Sequence, residues 1–141
     1  MTLEKFRISH STLIEHYQFI EAHLEGIYAA ISGKPLLEGL ADVEKYNINR
    51  ILNAIKKIES EKSITVFTEE EYTQIQNVLQ RRNFWCHNCY YDMTFDIKTG
   101  GPKKEGDIQA LLNDLSEAET LREKMFDKYR EQRANRYNSS L

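Results

Sequence analysis

Leu13, Tyr17, Ile20, Leu24, Ile27 and Ile31 recur at spacings of four and three, which puts them on one face of a helix turning roughly 100° per residue. The pattern predicts a helix over 12–32, opened by a Thr12–Glu15 capping box and closed by Gly33-Lys34-Pro35. A second seam, Val43, Tyr46 or Asn47, Ile51, Ile55 and Ile58, predicts a helix over 42–62. Ser63–Phe67 has some strand propensity, but it is short and lacks a partner, so it reads as a loop that packs Val66 or Phe67. A second capping box, Thr68 with Glu71, opens a third helix over 68–93. After it, residues 94–106 form a loop rich in helix breakers, Gly100-Gly101-Pro102 and Gly106. A fourth helix over 107–136 carries Ile108, Leu111, Leu115, Ala118, Met125 and Tyr129 on one face. Together these seams predict an all-α protein, an antiparallel up-and-down helical bundle of about four helices in a single domain, 1–141. Residues 1–11 carry no assignment.

Composition changes this picture little. A chain of 141 residues can bury a core without disulfides or metal, and 2 Pro, 6 Gly and 29% charged residues suit helices better than a sandwich or barrel. The net charge of −3 does not advertise a dedicated nucleic-acid binder, so any RNA contact is expected to be local. The opening Met1–Arg7 lacks an apolar core of signal-peptide length, and no stretch approaches the ~18 apolar residues of a membrane span; a cytoplasmic location is expected. Cys86 and Cys89 then read as free thiols. Six cations against three anions between Arg122 and Arg136 make a modest basic stretch, whose ordinary reading is a solvated face.

Chemistry concentrates on the third helix, in Arg82-Asn83-Phe84-Trp85-Cys86-His87. A cation and a group that titrates near neutral pH are the parts needed to work on a phosphodiester. At roughly 100° per residue, Tyr72, Ile75, Leu79, Asn83, Cys86, Tyr90 and Met93 share a stripe, so Asn83 is expected to aim an amide at the core, with Arg82 and His87 on either side. Phe84, Trp85 and Tyr91 fall on the remaining faces, an apolar surplus that predicts a two-fold interface between copies of the chain. A structural reading stands beside the chemical one: Arg82 as a paired surface charge, Asn83 as a buried anchor, His87 as a satisfied imidazole. Two further options are zinc at Cys86, His87 and Cys89, and a Cys86 thiol nucleophile. Helical neighbours diverge by roughly 100°, which disfavours both. His16 and His23, seven apart, flank the first seam and are expected at the edge of the core.

Arg82-Asn83 and His87, followed by Tyr90 and Tyr91, resemble the signature of the HEPN domains: Arg, often a polar residue, then His after four to six residues on a late helix of a bundle. These domains occur in prokaryotic toxins paired with antitoxins, in phage-defence proteins and in some eukaryotic ribonucleases. Cys89 stands where the subfamily paired with nucleotidyltransferase antitoxins has Tyr. The resemblance implies a metal-independent endoribonuclease without cofactor, acting on RNA in a cleft shared by a homodimer, with an antitoxin or other protein as a possible partner. It implies catalytic roles for Arg82, Asn83 and His87. Some HEPN domains are non-catalytic, so the alternative is a helical-bundle binding or interaction module.

Overall fold

The computed structural model describes residues 1–140. It is an all-α helical bundle in which the described residues form five helices of eight or more residues: α1 Leu3–Ile31, α2 Leu36–Val43, α3 Ile48–Lys62, α4 Glu69–Asn83 and α6 Glu105–Ser140. Between α4 and the loop lie a π-helical stretch, Phe84–Asn88, and one α turn, α5 Cys89–Asp92. No helix among the described residues is long and apolar enough to cross a membrane.

Two expectations need correction. First, α1 begins at Leu3, so Thr12 sits in mid-helix and caps nothing; its hydroxyl donates to the Ile8 carbonyl one turn back. Second, the helix predicted over 42–62 starts only at Ile48, and α2, a helix the sequence pattern did not predict, precedes it and raises the count from four to five. Asn47 lies extended at φ −73°, ψ 167° and its side chain accepts the Arg50 amide, so a new N-cap divides the seam. Asp42 is the penultimate residue of α2 and holds Lys34 at 2.6 Å. The loop expected over 94–106 lies between α5 and α6 and contains an isolated antiparallel bridge, Phe95 with Pro102. The Asp96 carboxylate accepts the Lys98 and Thr99 amides within it. Elsewhere the expected breaks stand: Gly33, at φ +77°, follows α1, and the Ser63–Phe67 segment is irregular with Val66 and Phe67 buried.

The chain divides into two compact units. Unit 1 comprises Met1–Gln18 and Glu71–Arg122. Its buried apolar side chains are Phe6, Leu13 and Tyr17 of α1, Tyr72, Ile75 and Val78 of α4, Trp85, Cys89 and Met93, and Leu111, Ala118 and Leu121 of α6. Unit 2 takes residues 19–70 and the chain from Glu123 onward. Ile20, Leu24 and Ile27 of α1, Val43 of α2, Ile51, Leu52 and Ile55 of α3 and Met125 of α6 make its core. Within unit 2 the Tyr129 ring lies so close to Gly26 that a Cβ there would sit 2.6 Å from the ring edge. A side chain at that turn of α1 would displace the ring.

The basic stretch is not simply solvated. In unit 2, Lys128 donates to the Val66 carbonyl, Arg133 to the Tyr129 hydroxyl, and Arg136 to the carbonyls of Ala29 and Lys34. In unit 1, Arg122 reaches Glu15 at 3.5 Å and His16 Nδ1 at 3.1 Å.

Candidate functional site

Two lines one residue apart run from α4 through the π-helical stretch into α5: Leu79, Asn83, Cys86, Tyr90, and Val78, Arg82, Trp85, Cys89. The second faces the core. Val78, Trp85 and Cys89 are buried and Arg82 is half-buried, whereas Asn83, Cys86 and Tyr90 are exposed. Asn83 is therefore not the buried amide that the stripe predicted. Burial of an indole outweighs that of a thiol, and the larger ring sets the phase. Trp85 accordingly belongs to this chain's own core and is withdrawn from the apolar surplus assigned to an interface.

Trp85 is also held by polar bonds. Its indole Nε1 donates to Asp114 Oδ2 at 2.6 Å, and Arg81 Nε reaches the same oxygen at 2.7 Å. The Arg81 guanidinium lies 5.1 Å from the Phe84 ring centroid. Arg81 is thus committed to α6 and to the aromatic pair; Arg82, the next residue, is half-buried.

The π-helical stretch begins directly after Asn83. The Cys89 amide, which a regular α-helix would give to the Trp85 carbonyl, donates to the Phe84 carbonyl, five residues back. The Trp85 carbonyl is met instead by His10 Nε2 at 2.7 Å and by the Cys89 thiol at 3.4 Å. A carbonyl only accepts, so His10 carries its proton on Nε2. Phe6 stacks on the His10 ring at 5.8 Å, and Tyr90 meets it edge-on at 5.3 Å. The sequence reading missed His10; its only signal was position, one seam-length before Leu13 and Tyr17.

This widened turn changes which residues share a side. On a regular α-helix, Arg82 and His87 diverge by about 140°. A π turn takes roughly one more residue per turn, so the insertion swings His87 back toward Arg82 and Asn83. Asn83 and His87 are exposed, and neither side chain makes a hydrogen bond or ion pair with other described residues. The arrangement offers solvent an imidazole and an amide around one helical turn beside the half-buried Arg82, with Tyr91 almost wholly exposed beyond them.

Other candidates separate. Cys86 is exposed and Cys89 buried, with Cys89 Sγ 3.5 Å from His10 Nε2. Burial pushes the Cys89 thiol up, which keeps it protonated and a poor nucleophile. His16 is buried and faces Arg122, while His23 stacks against Tyr129 at 6.1 Å in unit 2, so each has a local packing role. One buried polar group stands out: the Tyr17 hydroxyl has no hydrogen-bond partner among the described residues. Burial first, and then the nearby Asp114 carboxylate, push that phenol well above its usual range.

No protein-family model matches this chain. Comparison with curated proteins finds no match. Comparison with solved structures likewise finds none.

Proposed function

We propose that this chain is a HEPN-like, metal-independent endoribonuclease that cleaves RNA in a cleft formed with a second copy of itself. The observation that carries the reading is the exposed His87 on a π-widened turn next to Asn83 and the half-buried Arg82. π turns inside α-helices recur at functional sites, and here the widening has a specific local clamp in His10. The chemistry needs few parts because the nucleophile is in the substrate. His87 takes the proton of a ribose 2′-hydroxyl as it attacks the adjacent phosphate; an imidazole returns a proton to the departing 5′-oxygen. Arg82 binds the phosphate and the charge that develops on it, and Asn83 donates an amide hydrogen bond that fixes its orientation.

Such a reaction leaves a 2′,3′-cyclic phosphate, and end-group analysis of the fragments tests it. Cyclic ends and no cleavage of the matching DNA are expected, since DNA lacks the hydroxyl. Fragments with 5′-phosphate ends, or equal cleavage of DNA, would contradict this mechanism. One observation favours a second reading, a binding module without catalysis. Tyr91 and Ile97 are nearly or fully exposed on the same unit, an apolar pair suited to a protein partner. The same assay separates the two, because a module binds without producing fragments.

A further inference from the structure

In unit 2 the C-terminal end of α1 meets the last turn of α3 and the final turns of α6. Lys62 Nζ donates to the Ile31 carbonyl at 2.7 Å, and Arg136 donates to Ala29 and Lys34. These cations answer the partial negative charge at the end of α1. Beside them opens a cleft of about 450 Å³, within the size range of small-molecule sites. Ala30, Ile31 and Ile64 supply its apolar lining, and Lys62, Arg136 and Gln132 its polar one.

Gln132 is the unusual member. Among the described residues it is the one polar side chain of α6 that is buried, nine-tenths out of solvent, yet its amide makes no hydrogen bond with other described residues. Gln132 is one of the residues that line the cleft. An amide without a partner in the protein leaves its donor and acceptor to water or to a ligand, and a leucine of similar size would need neither. Lys62 Nζ retains N–H groups beyond the one given to Ile31, because an ammonium carries three. The cleft thus combines two cations against a single carboxylate, Glu131, with an amide that can donate and accept at once.

We propose that this cleft binds a small organic anion: a phosphate or carboxylate held by Lys62 and Arg136, with its body over Ile31 and Ile64 and a hydrogen-bonding group answered by Gln132. The site is independent of the ribonuclease reading. Calorimetric titration of the whole chain with adenosine 5′-monophosphate, with succinate and with neutral adenosine tests it. A saturable response to either anion below about 1 mM, with adenosine at least tenfold weaker, is expected. Response to the nucleotide alone assigns a phosphate, and response to succinate alone a carboxylate. Gln132→Leu should lose at least tenfold in affinity while retaining its helicity, and Lys62→Gln, which keeps a hydrogen-bond donor, gives a second variant with the same expectation. No saturation by either anion up to about 10 mM, or affinity unchanged by Gln132→Leu, would overturn the proposal.

Discussion

His10 shows how one side chain can fix the shape of a helix far along the chain. Removing its Nε2–H leaves the Trp85 carbonyl with only a weak thiol donor, so His10→Ala should lower stability by about 1–3 kcal/mol in urea titration. His10→Gln, which can still donate, should recover part of that. No recovery would mean that ring packing against Phe6 and Tyr90 matters and the hydrogen bond does not. The Tyr17 hydroxyl gives the opposite case: Tyr17→Phe removes a buried group with no partner and should leave stability unchanged or raise it by up to about 1 kcal/mol. Asn83→Ala should change stability by no more than about 0.5 kcal/mol, since Asn83 is exposed. A core amide, as the stripe predicted, would cost several times more. The sequence carries both lines of α4, but what chooses between them is the pairing of Trp85 with Asp114, 29 residues away, and periodicity cannot show a partner at that distance.

Helix ends were legible where a backbone requirement coincided with a residue type. Gly33 adopts the positive φ that follows α1, and Thr68 immediately precedes α4. The division of the second seam was hidden because Asn47 fits either an apolar stripe position or an N-cap, and only its bond to Arg50 decides. Ser63 ends α3 in the left-handed region at φ 53°, which disfavours a side chain, so Ser63→Gly should raise the melting midpoint, by roughly 0.5–1 kcal/mol of stability. The loop after α5 has its own pH dependence. The Thr99 and Lys98 amides hold the Asp96 carboxyl below its usual range. A lowered folded-state pKa stabilises above the unfolded value of about 3.9 and is lost as pH falls through the folded one. Protection of the Lys98 and Thr99 amides, measured against intrinsic exchange at each pH, should therefore fall below about pH 4 in the wild type, and Asp96→Asn should flatten that dependence. Protection that holds equally at pH 3 in both would mean that the Phe95–Pro102 bridge, and not Asp96, orders the loop.

Across the whole molecule, the all-α class followed from the seams because a 3.6-residue period survives even when single positions are misassigned: Leu13, Ile20, Ile51, Ile55, Leu111 and Ala118 are all buried as their spacing requires. Assembly was less legible, since apolar residues such as Trp85 count toward an interface until the chain's own core claims them. Tyr91 and Ile97 remain exposed, and a homodimer should scatter light with twice the 16.6 kDa mass of the chain. Tyr91→Glu should return it to that mass if this face joins the copies; a monomer in the wild type would remove the shared cleft. The proposed ribonuclease is tested most directly by cleavage of single-stranded RNA in excess chelator, comparing wild type with His87→Ala and Arg82→Ala. The account predicts cleavage that survives chelation, falls roughly 10²–10⁴-fold in His87→Ala at unchanged helicity, and falls also in Arg82→Ala. Wild-type protein that binds RNA but never cuts it, or cleavage indifferent to His87→Ala, would contradict it.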